Sequence, residues 1–316
     1  MGMAHDHHAH GHHAHGDPGH SHSPAGFDRP FAVAVALNVF IVLAQLGFGY
    51  LANSLALMAD AAHNFSDVVG LLLAWGAAWL GKSRPTARHT YGYRRASILA
   101  ALGNAALLLA ATGGIIVEAA GRLHHPAPMS TNIVLWVAAI GIVVNGATAL
   151  LFMRDRDRDM NIKGAFLHMT ADAGISFGVV VAALLTMWTG WFWFDPVVSF
   201  AIAFAVLLSG WGLARDAINL ALDAVPDGIN QDEVRSYLRS LPGVSEVHHL
   251  HIWAMSTTET ALTAHLVRPG AGLDDRLLHD TAQVLAKRFR IGHATLQVEA
   301  GRADHACRLA DDCPSV

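Results

Sequence analysis

The sequence predicts an α-helical membrane protein of six transmembrane helices followed by a small α+β domain. Three observations lead there. Of 316 residues, 53% are hydrophobic and only 15% charged, with a mean hydropathy of +0.35, values foreign to a soluble globular chain. The apolar residues gather into six long runs that are nearly free of charge. From about Asp216 the composition turns into that of a soluble domain.

Residues 1–30 come first and are low in complexity, built from His, Ala, Gly, Asp, Ser and Pro. Nine of the 21 histidines lie within the first 22 residues. Such a tract buries too little apolar surface to fold, so a disordered His-rich tail is expected. It also lacks the charged start and apolar stretch of a secretory signal.

The region 31–215 holds the six runs: Phe31–Leu51, Ser54–Leu80, Arg95–Ala120, Thr131–Met153, Ile162–Thr189 and Phe192–Leu213. Each reaches the ~20 residues needed to cross ~30 Å of hydrocarbon. Trp75, Trp79, Trp136, Trp188, Trp191 and Trp193 sit near the ends of runs, where an amphipathic ring prefers the lipid–water interface. Lys82, Arg84, Arg88, Arg94 and Arg95 fill the link after the second run, and Arg154, Arg156 and Arg158 the link after the fourth. The other links hold only Arg122. Basic loops stay cytoplasmic, so both termini are expected there, as an even number of spans also requires.

Residues 216–301 predict a helix at Gln231–Ser240, strands at Val247–Trp253 and Ala261–Val267, a helix at Leu273–Arg290 and a strand at Ala294–Glu299. The order αββαβ is that of a ferredoxin-like or metallochaperone-like sandwich, and a domain of roughly 80 residues suits a dimer. Residues 302–316 form a tail with the two cysteines, Cys307 and Cys313, too few for a disulfide framework. The net charge of −4 speaks against a nucleic-acid partner, which demands a basic stripe.

The chemistry lies in the second and fifth runs. Asp60, His63 and Asp67 fall at i, i+3 and i+7 on one helical face, and His168 and Asp172 repeat the i, i+4 pair. Ionisable groups inside a membrane are costly and mark a pathway by default. Two facing His-x-x-x-Asp pairs supply two imidazoles and two carboxylates, a four-coordinate set suited to zinc. Carboxylates alone would favour manganese or magnesium, and thiolates copper(I). A zinc enzyme would instead show three ligands and an open water position. Asp60 is the candidate proton relay. In the C-terminal region His248 and His265 lie on neighbouring predicted strands and could converge on a metal, or could be ordinary strand histidines. Strict alternation turns His249 and His251 away from His248. His305, Cys307 and Cys313 could add ligands.

Ser54-Leu-Ala-Leu-Met-Ala-Asp-Ala-Ala-His-Asn-Phe-Ser-Asp67, His89-Thr-Tyr-Gly-Tyr-Arg-Arg95, His168-Met-Thr-Ala-Asp172, Val247-His-His-Leu-His-Ile-Trp253 and His293-Ala-Thr-Leu-Gln-Val-Glu299 together resemble the cation diffusion facilitator family. The likeness is to its zinc-transporting branch, of the bacterial zinc/cobalt/cadmium exporter type, and runs over nearly all of residues 31–300. It implies a homodimer in a bacterial inner membrane that exchanges Zn²⁺ for H⁺ by alternating access. It implies a transport site at His63, Asp67, His168 and Asp172, and a regulatory metal at His248, His265 and Glu299 with His293 nearby. Tyr93 stands where a second loop histidine would partner His89, so no intact loop site is expected. Zinc is the expected cargo, with Co²⁺ or Cd²⁺ as further substrates. A metal sensor or buffer without transport, a passive channel and a zinc-dependent membrane hydrolase are the competing readings.

Overall fold

The computed structural model describes residues 29–153, 160–270, 272 and 274–301, with side chains outside 29–35, 151–152 and 160–165. The His-rich tail, the Arg154–Arg158 run, His305, Cys307 and Cys313 lie outside the described residues. Six long helices come first: α1 (Arg29–Ala52), α2 (Leu55–Gly81), α3 (Ala96–His124), α4 (Thr131–Phe152), α5 (Met160–Thr189) and α6 (Phe194–Ala221). Among the described residues four of them, α3 to α6, are long and apolar enough to cross a membrane, and α1 contributes the shorter apolar stretch Ala36–Ala52. Helix α2 is as long, but Asp60, His63, Asn64, Ser66 and Asp67 interrupt its apolar run.

Helix α3 packs along α6 and α4 along α5, while α2 runs through the middle and touches α1, α3, α5 and α6. The shared core is made of small and branched residues, among them Ala56, Leu57, Leu108, Val134, Ala138, Val179 and Val206. Small side chains let helix backbones approach closely where lipid leaves no hydrophobic drive between helices. Outside, Trp136, Trp188, Phe177 and Leu208 stand exposed. In water so apolar a face would be an aggregation site; it has the character of a surface that meets lipid.

The α1–α2 link is two residues long. Asn53 takes a left-handed turn with φ 56°, and the Arg122 guanidinium on α3 donates to its backbone and side-chain oxygens at 2.7 and 2.9 Å. Ser54 then caps α2, accepting from the Leu57 amide, which supplies one of the partners that a helix start lacks.

After α6 come α7 (Gln231–Arg239), β1 (Glu246–Ala254), β2 (Thr260–Val267), α8 (Asp275–Phe289) and β3 (His293–Glu299), the αββαβ order read from the sequence. The sheet order is β1-β2-β3, with β1/β2 antiparallel and β2/β3 parallel. Alternate strand residues Leu262, Ala264 and Leu266 meet Val234 and Leu238 of α7 and Leu285 and Phe289 of α8 in one core. Asn230 and Asp274 cap the two helices. Helix α6 continues to Ala221, past Asp216 where the composition turns polar, so the soluble part begins with a helical projection of the bundle.

One irregularity corrects the strand reading. His248 pairs with His265 and His251 with Thr263, so two residues of β1 oppose one of β2. His249, with φ 49°, is the bulged residue. A bulge adds one residue and inverts the alternation beyond it. His251 therefore shares the face of His248, and His249 leans against the His265 ring at 5.0 Å between centroids.

Candidate metal centres

Among the described residues, two groups of side chains converge as a metal ion requires. The first joins α2 and α5. Both helices present a His and an Asp one turn apart, and α2 crosses α5 at that level. His63 Nε2 lies 3.7 Å from Asp67 Oδ2 and 3.6 Å from Asp172 Oδ1; His168 Nε2 lies 3.2 Å from Asp67 Oδ2 and 3.6 Å from Asp172 Oδ2. Imidazole and carboxylate thus alternate around a four-sided ring. A tetrahedral ion with bonds of about 2.0–2.1 Å has ligand–ligand edges of roughly 3.3–3.4 Å, and the neighbour distances around the ring are close to that. His63, His168 and Asp172 form the compact part of the group, with Asp67 having to swing in to complete it.

The electrostatics point the same way. Asp172 is fully buried, and neither of its oxygens, nor Asp67 Oδ2, accepts a hydrogen bond within the described residues. Buried carboxylate oxygens without donors are expensive, a cost that a bound cation would relieve. His168 and Asp67 remain about one-third exposed, at 38% and 32%, which opens one side of the ring.

Asp60 belongs to a different arrangement. It is fully buried, and Oδ2 accepts from Gln45 Nε2 of α1 at 2.6 Å and Ser176 Oγ of α5 at 2.9 Å, while Asn64 Nδ2 donates to Oδ1 at 3.2 Å. Gly141 of α4 makes room, since a Cβ there would stand 3.1 Å from Ser176 Oγ and 3.3 Å from Gln45 Nε2. The carboxylate ties three helices together one turn from His63. Gln45 and Ser176 escape a sequence reading because each is a common polar residue that acquires its role only across helices.

A further acid was legible and missed. Asp195, in the first turn of α6, is 4% exposed and accepts from the Ser54 hydroxyl and from the Leu55 and Ala56 amides at 2.8 and 3.3 Å. It caps α2 from another helix. Its signal was an ionisable residue inside an apolar run.

The second group lies across the sheet. His248 stands opposite His265, and Glu299 follows Gln297, the β3 partner of His265, by two residues, so all three share one face. Glu299 Oε2 is 3.2 Å from His248 Nε2 and Oε1 is 2.8 Å from His265 Nδ1. Burial pushes the Glu299 carboxyl up, but hydrogen bonds from Gln297 and His248 and the nearby His248 and His265 charges outweigh it and hold its pKa below the ordinary value. The His251 pKa is also held down, by burial first and then by His249 and His265. An ionised carboxylate beside imidazoles is the state a metal binds. His293 does not join them. Parallel pairing sets it opposite Ala261 at the other end of β3, where it meets the Tyr91 ring of the α2–α3 link at 5.6 Å. His89 packs on Tyr93 at 4.7 Å and gathers no ligand set among the described residues.

A family model described as the cation efflux transmembrane domain matches residues 31–220, and another, the cation efflux protein cytoplasmic domain, matches residues 226–301. The cation efflux system protein CzcD of Alcaligenes sp. (strain CT14) is 34% identical, over 91% of this chain and 92% of that protein. The cadmium, cobalt and zinc/H(+)-K(+) antiporter of Bacillus subtilis is 31% identical, over 91% and 94%. The zinc transporter ZitB of Escherichia coli is 33% identical, over 89% and 92%.

Proposed function

The chain belongs to the cation efflux family, and on that premise we propose that it is a proton-coupled exporter of Zn²⁺, with Co²⁺ and Cd²⁺ as further cargo. One observation carries the reading: the alternating His–Asp ring of α2 and α5, whose neighbouring ligand atoms lie 3.2–3.7 Å apart and whose buried carboxylate oxygens accept no hydrogen bond within the described residues. The same ligands perform the exchange. Zinc binds neutral imidazole and ionised carboxylate, so loading releases protons and protonation releases metal. Exchange also eases the energetics, because expelling a dication against an inside-negative potential costs about 4.6 kcal/mol per 100 mV and one incoming proton halves the charge moved.

In this reading all six long helices span the membrane, α2 tolerating its polar face because that face looks into the bundle. Residues 31–215 transport and 216–301 regulate, as a homodimer with both termini in the cytoplasm, where the basic links lie. Asp60 relays protons from beside the site. Asp67, beside the His63, His168 and Asp172 group, argues against the hydrolase reading, since as a fourth ligand it would fill the position an attacking water needs. Zinc uptake into proteoliposomes holding a trapped pH-sensitive dye tests the coupling. Proton counter-movement that follows zinc is the expected result; zinc flux with a silent dye would make the protein a channel or uniporter.

His248, His265 and Glu299 are the regulatory site. Zinc binding by the isolated residues 216–316, measured calorimetrically, should vanish in His265→Ala, and zinc should raise the melting temperature of the unaltered domain only. An unaltered isotherm in His265→Ala would remove the site.

A further inference from the structure

The metal-binding face of α2 continues beyond the site. Below His63 and Asp67, at steps of three or four residues, come Gly70, Ala74, Ala77 or Ala78, and Gly81, so all of them follow one stripe toward the α2–α3 link. The stripe covers about 20 Å of helix at 1.5 Å per residue. It lines a cavity of about 540 Å³ whose other wall is α3, through Ser97, Ala101 and Asn104. Asn104 sits at the inner end, accepting from Ser66 Oγ at 3.3 Å and packed so closely that a Cβ on Gly70 would come 2.7 Å from its amide nitrogen.

The outer end is closed by the C-terminal domain. The β1–β2 loop, Ser256 to Glu259, forms the floor. Ser256 Oγ accepts from the Thr258 and Glu259 amides, which makes the loop a tight turn. The Thr257 amide donates to Ser97 Oγ at 3.1 Å, and Arg94 Nη1 lies 3.0 Å from Glu259 Oε2. That ion pair is half-exposed at the rim, so it is open to competition from solution.

We propose that this cavity is the approach by which the divalent cation comes from the side of the C-terminal domain to the Gly70–Asn104 contact, which separates it from Asp67 and must part for the ion to pass, and that Glu259, lent by that domain, is its first ligand. The proposal rests on the reading of His63, Asp67, His168 and Asp172 as the transport site. Three features of the cavity fit a hydrated cation. Its α2 wall has no bulky side chain, its inner end offers an amide, and the one acid at its rim is exchangeable because its partner, Arg94, is itself a cation. The ion displaces Arg94 from Glu259 on its way in. The soluble domain thereby takes part in loading as well as in regulation. An acyl chain between α2 and α3, with its headgroup on Lys82 and Arg94, is the occupant that the test must separate.

The test uses the full chain in proteoliposomes, with Cys307 and Cys313 replaced by serine. Ala74→Cys should react with a water-soluble trimethylammonium thiosulfonate, and the bulky adduct should block zinc flux. Reaction with a lipophilic maleimide alone would mean a lipid-filled groove and overturn the proposal, as would full flux through the adduct. Glu259→Gln should cut flux about tenfold at low zinc, the lower end of what a charged funnel adds to capture rates, and converge on the unaltered protein at saturating zinc. Glu259→Asp should restore capture. Unchanged flux at low zinc in Glu259→Gln, or an equal loss at all zinc concentrations, would remove Glu259 from the route. Flux that survives Asp172→Ala would defeat the transport-site reading instead, and leaves the thiol result to be read on its own.

Discussion

Asp172→Ala should abolish zinc flux, by at least about 100-fold, since even the groups that merely support metal ligands are worth about 10–100-fold. The substitution deletes one of the two carboxylates that balance a dication, and leaves the two imidazoles without the oxygens that bridge them at 3.6 Å. It should not unfold the protein. Asp172 is fully buried and its oxygens accept no hydrogen bond within the described residues, so its charge is a cost to the metal-free fold that alanine removes. Two readouts must therefore part company. In a His265→Ala background, where the sheet site is silent, the metal-free melting temperature should hold or rise in detergent. The zinc-induced increase, which scales as RT ln(1 + [L]/Kd), should disappear. A retained zinc shift would place the ion elsewhere.

The parts of this protein that follow from local periodicity were legible in the sequence, and those that depend on strand register or on contacts between helices were not. Six long helices follow from run length, and the two His-x-x-x-Asp pairs from a spacing that puts both groups on one helical face. That α2 and α5 bring the pairs within 3.2–3.6 Å of each other is tertiary information. The duplication hinted at it; no single residue did. The sheet shows the limit more sharply. Alternation alone turned His249 and His251 away from His248, and a bulge at His249 undid that, because one extra residue shifts everything beyond it by a face. The family resemblance put His293 near the sheet site, yet it opens the seven-residue β3 that ends on Glu299, and an extended strand at about 3.3 Å per residue separates its ends by some 20 Å. Likewise the donors around Asp60 come from α1, α2 and α5, 15, 4 and 116 residues away in the chain. Nothing in the local pattern at Gln45 or Ser176 announces them.

Asp195→Ala should be the most destabilising single change in the membrane domain. The carboxylate serves the Ser54 hydroxyl and the Leu55 and Ala56 amides at once, with all three groups buried. These amides belong to the first turn of α2, which has no partners of its own, and an anion there also meets the positive end of the helix dipole. In lipid no water replaces the lost acceptor. At about 1–3 kcal/mol for each stranded group, the loss is roughly 2–6 kcal/mol even if one group finds a new partner. Asp195→Asn keeps one acceptor oxygen and should fall between the two. Because α2 carries His63 and Asp67 two to three turns further on, a loosened start also tilts the ring of ligands. Zinc affinity should then fall together with the melting temperature, in the order Asp, Asn, Ala. Thermal unfolding in detergent, with and without zinc, reads both quantities. A melting temperature unmoved by alanine would mean that the α2 start is hydrated and that α6 does not anchor it. A melting temperature that falls without any loss of zinc affinity would separate the anchor from the site, and leave α5 alone to set the geometry of the metal.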